Sequence, residues 1–166
     1  MRIILIVIPF AVVAVFAGCD RRESADRHQA EAVHHHEHHP QHGGTPVELG
    51  EEANHVEIVV DAPSGKLQAY VLDGEMENFV RIAQPSLQIV AKVAGREETL
   101  MLHAVASNAT GEKIGDTSLF ETQADWLKNT PQFDAVLKEI TVGGTTYTNV
   151  DFNFPRGSDE GAASKQ

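Results

Sequence analysis

Short runs in which apolar and polar residues alternate occupy the chain from Pro46 to Pro155, and turn residues separate them. A period of two places every second side chain on one face of a strand, so each run predicts a half-buried β-strand. The clear runs are residues 55–60, 66–73, 86–93, 98–106, 133–142 and 145–154, with a shorter one at 47–49. Gly143-Gly144 separates the last two runs and is a two-residue hairpin signal. We therefore expect an all-β domain, an antiparallel β-sandwich of about seven strands.

One segment of this region departs from the alternation. Residues 116–130 combine Asp116, which could cap a helix, with helix-forming residues around Trp126, and Pro131 follows them. We expect one short helical insertion here, with Trp126 closing one end of the core and Pro131 ending the turn.

The N-terminal residues are apolar without alternation. Arg2 precedes an unbroken apolar stretch, residues 3–16, which is too short for a bilayer span of about 20 residues and fits the hydrophobic region of an export signal. The sequence Phe16-Ala17-Gly18-Cys19 that ends it resembles the bacterial lipoprotein signal, in which small residues precede a cysteine that receives the lipid. An ordinary secretory signal and an uncleaved signal-anchor are the alternatives.

The lipoprotein resemblance implies a location in the bacterial cell envelope. Cleavage after Gly18 would leave Cys19 as the mature N-terminus, carrying palmitate and other acyl chains as its membrane anchor. The protein would face the periplasm. Asp20 directly after the cysteine favours the inner membrane, although the choice between inner and outer membrane stays open.

These patterns predict four regions along the chain. They are a signal peptide at 1–18, a flexible tether at 19–45, the β-sandwich at 46–156 and a disordered tail at 157–166.

The tether contains most of the histidines of the protein. Neutral imidazole suits zinc, nickel and copper(II), and several imidazoles on one mobile segment can bind an ion without a preformed cavity. The predicted ligands are His28, His34, His35, His36, His38, His39 and His42. Two other interpretations remain open, namely a linker in which the histidines have no selected function and a polyelectrolyte that gains charge as the pH falls.

The β-domain contains candidate ligands for a second metal site. His55 and Glu57 lie two residues apart and so share a strand face, and His103 lies on the polar face of another predicted strand. If the two strands are neighbours, these three side chains converge. If they are not, all three are solvent-facing strand residues.

Composition narrows the function classes. The formal net charge is −11, which repels phosphate backbones and argues against nucleic-acid binding. A single cysteine excludes an internal disulfide and a cysteine-based metal cluster. No G-x-S-x-G elbow, phosphate-binding glycine loop or H-E-x-x-H helix is present, so we expect a protein that is not an enzyme.

A further resemblance lies at the start of the β-domain. Its residues are His42-Gly43-Gly44, Val47-Glu48-Leu49-Gly50, His55-Val56-Glu57, Gly65 and Tyr70-Val71-Leu72-Asp73. Together they resemble small exported bacterial proteins found in settings of heavy-metal efflux. That resemblance implies metal contact at His42 and His55.

The sequence therefore favours a lipid-anchored envelope protein that binds or buffers divalent transition metal through its histidine-rich tether. A metal-efflux component or another envelope protein would be its partner. The alternative is an interaction module whose sandwich docks an envelope protein, with the histidines incidental.

Overall fold

The structure, a computed structural model, describes residues 39–158. The predicted signal, Cys19 and the tether histidines before His39 lie outside the described residues. Within the described part of the chain, no helix is long and apolar enough to cross a membrane.

Antiparallel strands make up nearly all of the regular structure, which confirms the all-β prediction. The elements are β1 Thr45–Leu49, β2 Asn54–Asp61, β3 Lys66–Asp73, β4 Ser86–Val93, β5 Arg96–Ala104, β6 Leu119–Gln123, the 3₁₀ helix Asp125–Asn129, β7 Phe133–Val142 and β8 Thr145–Phe154. Buried and more exposed side chains alternate clearly along four of these strands, β1, β3, β4 and β5, as a period of two requires.

The strands form one eight-stranded sheet in the order β1-β2-β3-β6-β5-β4-β7-β8. This sheet curls until it nearly closes into a barrel, and β1 contacts β8. Opposite walls of the curved sheet therefore face each other across the core, as the two sheets of a sandwich do.

The core is filled by the inward side chains that the alternation identifies. Leu67, Ala69 and Val71 of β3 are fully buried, and Ile89 of β4 meets them in the same cluster. Full burial of one such aliphatic side chain stabilises the fold by about 1.5–3 kcal/mol.

Part of the segment predicted to be helical is instead strand β6. Its Phe120 is fully buried, and the strand pairs with β3 on one side and with β5 on the other. The helical prediction applies only to the 3₁₀ helix that follows, where the ring of Trp126 packs edge-on against Phe133 at 5.3 Å between centroids. Five residues are too few for the alternation to be recognised against helix-forming neighbours.

Residues 155–158 bridge the first and last strands. Asn153 and Gly157 exchange two backbone hydrogen bonds, of 2.8 and 2.7 Å, and the backbone N–H of Glu48 donates to Oγ of Ser158 at 2.8 Å. A Cβ on Gly157 would lie 2.6 Å from the carbonyl oxygen of Pro46, so only glycine allows this approach. The bridge closes the sheet where β1 and β8 meet.

A second, smaller layer covers the outer face of β2 and β3. It consists of residues 40–44, here named the strap, and of the loop 74–80. The side chain of Gln41 joins the two, because its Nε2 donates to the carbonyls of Met76 at 2.9 Å and Glu77 at 2.6 Å. Leu72 and Met76 are consequently buried although they lie outside the main core.

Candidate functional site

Glu57 is a fully buried carboxylate on the outer face of β2. Its strand neighbours Val56 and Ile58 point into the core, so the alternation directs Glu57 outwards, yet its exposure is 0% because the strap covers it. Burial of a charge without hydrogen-bond partners costs several kcal/mol, so the donors around Glu57 are decisive for the fold.

The strap supplies three of these donors. Oε1 of Glu57 accepts the backbone N–H groups of His42 and Gly44, both at 2.8 Å. Oε2 lies 3.0 Å from Nδ1 of His42. Gly44 is required for this fit, since a Cβ there would lie 2.7 Å from the carbonyl oxygen of Ile58. One carboxylate thus fixes the strap by its backbone and by its histidine ring.

Two aromatic side chains hold the His42 ring from the other directions. The ring stacks on Tyr70, the cross-strand partner of Glu57, with centroids 3.8 Å apart and planes 10° apart. Phe79 is tilted towards both rings, at 5.8 Å from His42 and 6.1 Å from Tyr70. The His42 side chain remains 34% exposed. In the neutral ring, donation from Nδ1 to Glu57 leaves the lone pair on Nε2, the form in which imidazole binds metals.

A cavity of about 480 Å³ opens beside these three rings. Its lining also includes Arg81, Thr110 and Glu112. Nη2 of Arg81 donates to the carbonyl of Thr110 at 2.6 Å, and its Nε lies 3.9 Å from Oε1 of Glu112. The cavity therefore has an aromatic side and a polar, hydrogen-bonded side.

Glu112 keeps its negative charge on this polar wall. Its Oε1 accepts the backbone N–H and the hydroxyl of Ser118 at 2.9 and 2.6 Å, and its Oε2 accepts the hydroxyl of Thr110 at 2.7 Å. Burial raises the pKa of Glu112, but these hydrogen bonds and the charge of Arg81 outweigh burial and hold the pKa below its usual value.

The phenol of Tyr70 has a raised pKa. Partial burial is the largest cause, and the negative charges of Glu121 and Glu57 add to it. Tyr70 is therefore a neutral phenol at physiological pH.

The three residues predicted for a second metal site do not come together. His55 and Glu57 lie on one face of β2, and both are buried, with Nδ1 of His55 3.4 Å from the carbonyl of Asp73. His103 is solvent-facing on β5, opposite Glu121 of β6, and so is separated from β2 by β6 and β3, a distance of roughly 14 Å. Within residues 39–158, no group of three or more His, Cys, Asp or Glu residues is placed to hold a metal ion.

Two of the seven predicted tether ligands lie within the described residues. His39 is exposed, and His42 is the histidine docked on Glu57. His28, His34, His35, His36 and His38 lie outside the described residues, as does Cys19.

Sequence reasoning assigned His42 and Glu57 to different sites and overlooked the aromatic and polar residues around them. Tyr70 is part of the resemblance at the start of the β-domain, and it lies on the strand face opposite the core residues of β3, but neither signal indicates its contact with His42. Phe79, Arg81 and Glu112 lie in loops or irregular segments, where no periodicity indicates which side chains meet.

Comparison with known protein families, with curated proteins and with solved structures finds no match for this chain.

Proposed function

We propose that this protein binds divalent transition-metal ions such as zinc, nickel or copper(II) at the cell envelope, through the histidine-rich segment that ends at His42. In this proposal His42 is the ligand held by the folded domain, and a lipid on Cys19 anchors the chain. The observation that supports the metal site is the contact between Nδ1 of His42 and the buried carboxylate of Glu57.

A histidine that binds metal through one ring nitrogen commonly donates its other N–H to a carboxylate, which fixes the ring and raises its basicity. The His42–Glu57 pair has this arrangement at 3.0 Å. Glu57 is itself fixed by two backbone donors, and the Tyr70 ring restricts rotation of the imidazole. The metal-binding nitrogen is therefore oriented before any ion arrives, which lowers the entropic cost of binding.

The remaining ligands would come from the histidines that precede His42. Because the same chain supplies them, binding of a first histidine presents the others at a high effective concentration. His39 is three residues away and exposed, and five further histidines lie between residues 28 and 38.

Charge also supports a cationic ligand. The whole chain has a formal net charge of −11, and the Glu57 carboxylate, which has no Lys or Arg ion-pair partner among the described residues, lies 3.0 Å from His42. A negative potential raises the local concentration of divalent cations.

Calorimetric titration of the full chain in a non-ionic detergent, with zinc, nickel and copper(II) chlorides, tests this function. We expect His42→Gln and Glu57→Gln each to weaken metal binding about 10–100-fold, as loss of a ligand or of its carboxylate partner does in other metal sites. His103→Gln is the matched control, because it removes an exposed histidine of the same domain. Equal affinities for His42→Gln and His103→Gln would contradict the role of His42, and no binding at micromolar metal would contradict the metal function.

Deletion of residues 28–39 in cells separates metal binding from the interaction-module alternative. Loss of metal tolerance supports the metal function. Unchanged tolerance, with a phenotype only when the β-domain is disrupted, supports the alternative.

Mass spectrometry of the mature chain tests the lipid anchor. We expect an acylated N-terminal cysteine in the wild type and no acylation in Cys19→Ser.

A further inference from the structure

The cavity beside His42 combines aromatic rings with a negative potential. Phe79 is tilted at 43° to His42 and 46° to Tyr70, so the three rings form a corner instead of one flat stack. Phe79 is 46% exposed, so its ring is accessible from solvent. The ring corner thus offers accessible aromatic surface at the wall of a cavity.

The charges around the ring corner do not cancel. Glu57 lies fully buried behind the His42 ring, and Glu121 lies on the same sheet face as Tyr70, two residues along β6 from its cross-strand partner Leu119. The cation nearest Glu121 is Lys66, whose Nζ lies 3.4 Å from Oε2. Glu57 has no Lys or Arg partner among the ion pairs of the described residues, only the ring of His42.

Arg81, which also lines the cavity, does not reverse this balance. Its guanidinium lies 3.9 Å from Glu112 of the same lining and 3.5 Å from Asp116 outside it. The positive charge of Arg81 is therefore offset by its own carboxylate partners.

We propose that this cavity binds an organic cation, an ammonium or guanidinium group attached to an apolar body. The cationic group would lie against the rings of Phe79 and Tyr70, where cation–π attraction adds to the negative potential. The body would occupy the rest of the cavity, whose volume of about 480 Å³ is within the range of small-molecule sites. This site needs no metal ion and goes beyond the metal-binding function proposed above.

The oxygen atoms of the cavity disfavour other occupants. The Glu112 oxygens accept three hydrogen bonds and face Arg81, so they are not free to coordinate a bare metal ion. An anion would meet the carboxylate of Glu112 beside Arg81, the only Lys or Arg side chain that lines the cavity in the described structure. An organic cation can bind without new coordination by the Glu112 carboxylate, which a metal ion would need. It also needs no further Lys or Arg side chain, which an anion would need.

Two probes of nearly equal shape separate cation binding from simple apolar binding. Choline carries a quaternary ammonium, and 3,3-dimethylbutan-1-ol replaces that nitrogen by carbon. Both are titrated into the full chain in a non-ionic detergent with EDTA present, so that metal loading plays no part. The readout is the amide chemical shifts of residues that line the cavity.

We expect saturable shifts with choline and about tenfold weaker binding of the neutral alcohol. Phe79→Ala should weaken choline binding, whereas Met101→Ala, which removes a comparably exposed side chain that does not line the cavity, should not. Equal affinities for the two probes, no shifts, or unchanged binding in Phe79→Ala would each overturn the proposal. Because EDTA is present, these outcomes leave the metal-binding function untouched.

The cation could belong to a free small molecule or to a side chain of a partner protein, and a third probe distinguishes these sources. N-acetyl-lysine methylamide presents a lysine side chain on a peptide-like backbone. Stronger binding of choline supports a small molecule, and stronger binding of the capped lysine supports a protein side chain. Failure of both cations to bind overturns the site.

Discussion

Oε2 of Glu57 lies 3.0 Å from Nδ1 of His42, and this contact joins the end of the histidine-rich segment to the second strand of the sheet. The same carboxylate accepts two backbone N–H groups of the strap. The buried charge of Glu57 therefore depends on the strap for its hydrogen bonds, and the strap depends on Glu57 for its position. Four predictions follow from this arrangement and from its surroundings.

Glu57→Gln should destabilise the domain. An amide turns one of its two polar atoms into a donor, which then faces the donors of the strap, and an unsatisfied buried group costs about 1–3 kcal/mol. Urea denaturation measures the free energy of unfolding, with Glu97→Gln as the control at an exposed glutamate of β5. Equal stability of the two variants would contradict the role assigned to Glu57.

Gly44→Ala should detach the strap. The new Cβ would lie 2.7 Å from the carbonyl oxygen of Ile58 and from Cγ2 of Val59, so backbone has to move. Hydrogen exchange at the His42 amide, which donates to Glu57, should become fast.

Gly43→Ala is the matched control for this substitution. Its Cβ meets nothing within 4 Å, and only its φ of +65° makes alanine unfavourable, by about 1–2 kcal/mol. The His42 amide should stay protected in Gly43→Ala. Protection in both variants would show that the close approach at Gly44 is not required.

Zinc should stabilise the folded domain if His42 is a metal ligand. A metal bound only by residues before His42 would bind the folded and unfolded chain equally and leave the melting temperature unchanged. Binding that includes the oriented His42 favours the folded state by about 2.7 kcal/mol at a free zinc concentration 100 times Kd. Thermal denaturation with and without zinc, in the wild type and in His42→Gln, measures this difference. A zinc-induced rise that persists in His42→Gln would assign the effect to other residues.

Glu112→Gln should change the response of the domain to acid. Because the folded-state pKa of Glu112 lies below its usual value of 4.5, its ionised form stabilises the fold above pH 4.5. That stabilisation is lost as the pH falls through the lowered folded-state pKa. The variant should be less stable than the wild type at pH 7, by about 1 kcal/mol, and the difference should shrink below pH 4.5. Urea denaturation at pH 7, 5, 4 and 3 measures it, and a difference that is constant with pH would contradict the prediction.

Local sequence pattern predicted most strands but not their neighbours. The period of two is a property of each strand alone, so the runs that correspond to β1 to β5, β7 and β8 could be recognised one at a time. Strand order depends on contacts between distant residues, such as the pairing of Ala69 with Phe120. A run as short as β6 contains too few alternating positions to be recognised as a strand. Because β6 lies between β3 and β5, the strand order could not be predicted without it.

The candidate site was predictable only in parts. The histidine next to two glycines and the His55–Glu57 pair are visible in the sequence, but the burial of Glu57 is not. Alternation directs Glu57 away from the core, and only the strap, docked over β2, removes it from water. His103 shows the opposite case, since its place on a polar strand face indicated its exposure, whereas its convergence with His55 required the two strands to be neighbours, and they are not.

The bridge at Gly157 and Ser158 has a consequence for how the chain acquires its structure. β1 begins at Thr45, but its N–H at Glu48 finds the Ser158 hydroxyl only after about 110 further residues have been made. A ribosome-bound chain that ends before this point leaves the β1 edge open, and open strand edges pair with other chains. Contacts between such distant residues also slow folding. Closure of the sheet is therefore a late event, and nascent or truncated chains are the forms of this domain most prone to aggregate.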